Sequence, residues 1–79
     1  MVRVEAAWED ETGTPQVATA MLEEKSAGGA NVRLKKRIGI GLAVKIAGTK
    51  EQFSGIVRHC FHDGAEYVLG IQRDPENPK

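Results

Sequence analysis

One cysteine, four aromatic residues and three prolines in 79 positions rule out several kinds of protein chemistry. Cys60 alone cannot close an internal disulfide, a pattern that fits a reducing compartment. No apolar run approaches the roughly 20 residues that a helix needs to cross a bilayer, and the N-terminus carries no signal-peptide core. Neither sign of charge is in excess: eleven Lys and Arg balance eleven Asp and Glu. That balance speaks against a strongly electrostatic partner, whether DNA, RNA or an anionic membrane. Trp8, Phe53, Phe61 and Tyr67 are the only aromatics, and a core needs most of them, which leaves little for base stacking. The expectation is a soluble, cytoplasmic domain with no nucleic-acid or membrane partner.

What the chain does have is enough for one core. Hydrophobic residues make up 41% and charged residues 28%, an ordinary globular composition. At this length folding hides only about 60 to 65% of the extended surface, so residues 1–79 are read as a single domain with little stability to spare. Its core runs over about 2–73, and 74–79, with two prolines, reads as a tail. The zero net charge conceals blocks. Residues 1–24 hold one cation and six acids, 25–58 hold eight cations and one acid, and 59–79 hold two cations and four acids. Such blocks either create a positive face or are interleaved by strand pairing.

Strand-like alternation dominates. Val2 to Trp8 alternates loosely and ends in a polar Gly/Pro turn. In Gly29 to Lys35, Ala30, Val32 and Leu34 share one face; in Leu42 to Ala47, Leu42, Val44 and Ile46 do. Gln52 to His62 is a longer strand with Phe53, Val57 and Phe61 on one side, Ile56 and Cys60 on the other, and a bend or bulge expected at Gly55. Asp63-Gly64 signals a hairpin into Ala65 to Arg73, where Tyr67, Leu69 and Ile71 face the core. Thr14 to Ala27 is ambiguous. Thr14 can cap, Pro15 suits a first helical position and the residues between are good helix formers. Yet Val17, Thr19 and Met21 also fit one strand face, and Ala18, Ala20 and Leu22 the other. Local propensity favours helix, while the spacing of the surrounding strands favours an all-β barrel or sandwich.

Most candidate chemistry dissolves on inspection. His59, Cys60 and His62 are the chain's only zinc-type nitrogen and sulfur ligands, one short of a structural site, and alternation turns His59 away from the other two. Cys60 beside His62 lacks an orienting third group, so no thiolate enzyme is expected. Glu23 and Glu24 are consecutive and on a strand point apart, unlike an acid–base pair. Gly39-Ile40-Gly41 lacks the third glycine and the strand-to-helix setting of a dinucleotide loop. The run Arg33, Lys35, Lys36, Arg37 has no aromatic interleaving for nucleic acid. Glu24-Lys25-Ser26-Ala27-Gly28-Gly29 is more informative. It sets a carboxylate, a hydroxyl and glycines just before a strand, where a ligand can approach the backbone.

Those six residues resemble the [D/N]-x-S-x-x-G element of PilZ domains, with Glu24 in the first place. The likeness continues through Gly29-Ala30-Asn31-Val32-Arg33-Leu34, Gly41-Leu42-Ala43-Val44-Lys45-Ile46, Phe53-Ser54-Gly55-Ile56-Val57-Arg58 and Tyr67-Val68-Leu69-Gly70-Ile71, in the family's order. It implies an all-β fold, a small six-stranded antiparallel PilZ-like β-barrel, with a strand over Gln16 to Glu24 in place of a helix. It also implies a non-catalytic signal-transduction domain of a bacterial regulatory protein that binds cyclic di-GMP, needs no cofactor or metal and passes the signal to a downstream protein partner. Carried over residue by residue, Glu24, Ser26 and Gly29 would read a guanine edge, with Arg3 against a phosphate. The family's R-x-x-x-R element has no counterpart, since Arg3 is the only arginine before Arg33. The likeness is thus to a divergent or N-terminally truncated member. The alternative is a barrel that has lost the ligand and serves as a protein–protein interaction module.

Overall fold

Six segments in which inward positions are apolar and outward positions polar need partners on both edges, and closing the sheet supplies them. The computed structural model describes residues 1–74. It contains β1 (Val2–Glu9), β2 (Pro15–Lys25), β3 (Gly29–Leu34), β4 (Ala43–Ala47), β5 (Gln52–Asp63) and β6 (Glu66–Arg73). All pairings are antiparallel, and the strands close into a barrel in the order β1-β2-β3-β6-β5-β4. The all-β, six-stranded barrel expected from the sequence is the observed fold. Of the expected tail, Asp74 is held by Ser54, whose carbonyl accepts from the Asp74 amide and whose hydroxyl donates to its carboxylate. Residues 75–79 lie outside the described residues.

β2 is where local propensity loses. Its residues pair with β1 from Val2↔Leu22 to Glu9↔Pro15 and with β3 from Ala20↔Leu34 to Lys25↔Ala30. An isolated helix of this length is marginal in water. As a strand the same residues gain ladders on both sides and bury Ala20 and Leu22. The strand implied by the family resemblance is therefore the one observed.

The core is built from the predicted alternation except at Tyr67, expected to face it, which is half-buried and stacks on His62 instead. Val4, Ala6 and Trp8 of β1 meet Val32 and Leu34 of β3, Val44 and Ile46 of β4, Val57 of β5, and Leu69 and Ile71 of β6. Each fully buried Val, Leu or Ile contributes roughly 1.5–3 kcal/mol relative to exposure. Ile38 joins them from the connection between β3 and β4, with 1% of its surface exposed. It is an apolar plug supplied from outside the alternating segments.

Two features depart from the expected register. The irregularity in β5 falls at Arg58, between Val57↔Ile71 and His59↔Gly70, and not at Gly55. This extra residue flips the faces beyond it. Cys60 packs against the core beside Leu69, while Phe61, expected on the side of Val57, is 61% exposed. Gly55 instead permits close approach: a Cβ there would lie 2.2 Å from the carbonyl oxygen of Gln72. The second irregularity lies between Leu22 and Glu24 in β2.

Candidate functional site

The bulge in β2 shapes the β2–β3 turn. On a regular strand Glu23 and Glu24 would face opposite ways, as the sequence suggested. With one residue extra, both carboxylates serve the outer face of β3. Glu23 accepts from Nε of Arg33 at 2.8 Å, and Glu24 accepts from Nδ2 of Asn31 at 3.0 Å. Asn31 and Arg33 alternate with buried Ala30, Val32 and Leu34, which sets them outward. The expectation that these two carboxylates diverge is corrected by that bulge.

The turn itself is tight. The amide of Ser26 donates to the Gly29 carbonyl at 2.8 Å, and the Ser26 hydroxyl lies 3.4 Å from the same oxygen. Arg73, at the end of β6, clamps the turn from the neighbouring strand. Its amide donates to Gly28 O at 3.0 Å and its Nη1 donates to Ser26 O. The Arg73 guanidinium also sits 4.8 Å from the centroid of the Phe53 ring, a cation–π arrangement that restricts where it can point. Gly29 packs closely on β6: a Cβ there would come 3.3 Å from Ile71 O, so a side chain needs that backbone to give by a few tenths of an ångström.

Three of the four predicted site residues meet here. Glu24, Ser26 and Gly29 line an open depression of about 390 Å³ together with Lys25, Ala30 and Asn31. A second depression of about 280 Å³ shares Gly29, Ala30 and Asn31 and extends the concavity over Gly70 to Arg58 and His59. Gly70 keeps that floor low: a Cβ would be 3.0 Å from the His59 ring. Arg3 is not among the lining residues. It lies on β1 opposite Met21, three positions along β2 from Glu24, or roughly 10 Å at the rise of a strand.

The charge blocks are largely interleaved by the pairing. Arg33 stands among Glu23, Asp63 and Glu66, and Lys25 pairs with Glu51. The hydrogen bond to Glu23, and then that to Asp63, raise the Arg33 pKa further above its ordinary value. His59 lies on the outer face against Phe61, with ring centroids 5.9 Å apart, while His62 stacks on Tyr67 at 4.8 Å. Among the described residues no group of three His, Cys, Asp or Glu side chains is placed to hold a metal ion.

Asn31 and Arg73 were missed by sequence reasoning. Asn31 had a signal, being an outward residue two places beyond the motif glycine. Arg73 had none, because only the β3–β6 pairing brings it to the turn. Chemically, the arrangement offers a carboxylate and a side-chain amide for base-edge hydrogen bonds, an exposed hydroxyl, and a glycine floor that admits a flat ring. No protein-family model, no curated protein and no solved structure matches this chain.

Proposed function

We propose that this barrel is a non-catalytic receptor module for cyclic di-GMP, of PilZ type, which relays ligand capture to a protein partner. The observation that carries the reading is the convergence of Glu24, Ser26, Gly29 and Asn31 on one open depression beside the β2–β3 turn. A guanine presents N–H donors on one edge and acceptors on another. Glu24 and the carbonyl of Asn31 supply acceptors, and the Ser26 hydroxyl supplies a donor. The shared glycine floor toward Gly70 leaves room for a planar base, and Arg3 and Arg58 supply cationic groups on the outer surface for the phosphates.

Calorimetric titration of the chain with cyclic di-GMP tests this reading. Saturable heat is expected, with Ser26→Ala and Glu24→Ala each weakening binding about tenfold. Absence of heat at high micromolar ligand rejects it.

A second reading is a barrel that has lost the ligand and binds only proteins. It is favoured by one observation: the Glu24 carboxylate already accepts from Asn31, in a chain with a single arginine before the turn. Under that reading Ser26→Ala changes neither nucleotide titration nor partner capture.

A further inference from the structure

The distal part of β5 has a strand on one side only. β4 pairs with β5 from Gln52 to Ile56, and the last backbone bonds on that edge join Val57 to Gly41 and Leu42. Beyond them, His59 to Asp63 pairs with β6 alone. The Gly64-Ala65 turn has two residues, so Asp63 and Glu66 form a mutually hydrogen-bonded pair. Alternation then aims the backbone groups of Phe61 and His59 at β6, and those of Cys60 and His62 away from it. Among the described residues no backbone group bonds to Cys60 or His62 on that outer edge. Neither proline nor lysine, the usual protectors of an open edge, occurs between Arg58 and Asp63.

The side chains along this edge are ordered by charge. Phe61 stands at the centre, 61% exposed, with His59 stacked against it. Arg58 and His59 occupy one end. At the other end Asp63 and Glu66 crowd, with Glu23, around Arg33, three carboxylates for one guanidinium. A strand with a cationic start, an apolar centre and an acidic end is complementary to its own antiparallel copy.

The geometry points to a two-fold homodimer in which β5 pairs antiparallel with β5 of a second copy, centred on Phe61. In this register Cys60 faces His62 of the second copy as a hydrogen-bonded pair, and symmetry repeats the contact. Phe61 meets its counterpart at a non-hydrogen-bonded position, where opposed side chains come closest. His59 lies opposite the second copy's Asp63, and Arg58 beside the same acidic end. A slip of one residue sets Cys60 against Phe61, whose backbone is already engaged with β6. Slips of two residues keep the ladder but lose the acid–base pairs, and one of them sets Asp63 against Phe61. The self-complementary register is the one that satisfies backbone, charge and apolar surface together.

Sedimentation equilibrium of the full chain from about 10 μM to about 1 mM, the range where a short ladder associates, reads the result. The apparent mass rises toward that of a dimer. Phe61→Lys weakens association at least tenfold, with circular dichroism showing an unchanged barrel because the residue is exposed. His59→Asp and Asp63→Lys are each monomeric alone, since the first opposes two carboxylates across the two-fold axis and the second sets a lysine beside Arg58 of the second copy. Mixed in equal amounts they dimerise again, because the exchanged charges then oppose each other. A chain that stays monomeric at 1 mM (about the top of that range) overturns the proposal. So does a dimer indifferent to Phe61→Lys, or a charge-exchanged mixture that fails to associate.

Discussion

The guanidinium of Arg73 donates to the backbone carbonyl of Ser26, a residue 47 positions earlier in the chain. Together with the Arg73 amide bonded to Gly28 O, it makes the end of β6 the support of the β2–β3 turn. Arg73→Ala removes one charged hydrogen bond and the stacking on Phe53. Stability to urea should fall by roughly 1–3 kcal/mol. Amide exchange at residues 26–29 should accelerate more than exchange in β1 or β4. Equal acceleration everywhere would show that Arg73 supports the barrel as a whole and not the turn.

Two glycines, one inside β5 and one in the β2–β3 turn, answer differently to one added methyl. At Gly55 a Cβ would lie 2.2 Å from Gln72 O and 2.8 Å from Ile71 Cγ2, and the first of these is backbone. Gly55→Ala must push β5 away from β6 and should cost roughly 3 kcal/mol or more. At Gly28 nothing lies within 4 Å and φ is not positive. Gly28→Ala should stay within about 0.5 kcal/mol of the parent. Parallel denaturant melts of the two variants decide the matter.

Ile38 and Ile40 test which part of the β3–β4 connection belongs to the core. Ile38 is 1% exposed and Ile40 is 63% exposed. Ile38→Ala should destabilise by roughly 2–5 kcal/mol through lost transfer energy and a residual cavity. Ile40→Ala should be nearly silent. In so small a domain the first change consumes much of the folding free energy, so its melt should shift visibly toward unfolding at ambient temperature.

Asp10 organises the β1–β2 turn. Its carboxylate accepts from the Thr12 hydroxyl at 2.6 Å, the Thr12 amide at 2.9 Å, and the Thr14 amide and Gln16 side chain at 3.0 Å each. The Thr12 hydroxyl, then the Thr14 amide, hold its pKa at about 2, below the ordinary 3.8. A depressed carboxylate contributes stability that is complete above its unfolded value and is lost as pH falls through the folded one. Asp10→Asn should therefore lower the melting temperature near neutral pH, and the gap should close between about pH 4 and about pH 2. A gap constant across that window would mean that the charge itself contributes nothing.

Alternation alone located β1, β3, β4 and β6, because their inward residues (Val4 and Ala6, Val32 and Leu34, Val44 and Ile46, Leu69 and Ile71) recur at period two. It failed at both bulges, for one reason: an extra residue leaves no mark in composition. Thus Glu23 joined Glu24 on the outer face and Phe61 left the side of Val57, although neighbouring residues were read correctly. The helix favoured by Ala18 to Lys25 yielded because β1 and β3 together offered that segment more hydrogen bonds and burial than its own propensity could. The site was legible as far as a single turn carries it. Glu24, Ser26 and Gly29 lie within six positions, and the tight turn closed by the Ser26 amide on Gly29 O brings them together.

Most of the strands, and a polar, glycine-bearing turn ahead of Gly29, follow from residue order, since period-two patterning and turn chemistry act over a few neighbours. β2 does not, because it became a strand only through its pairing with β1 and β3. Closure of the sheet, the burial of Ile38, the clamp from Arg73 and the unpaired edge beside Phe61 do not. Each depends on which strands become neighbours and where one strand outlasts another, and those are properties of the whole set of pairings.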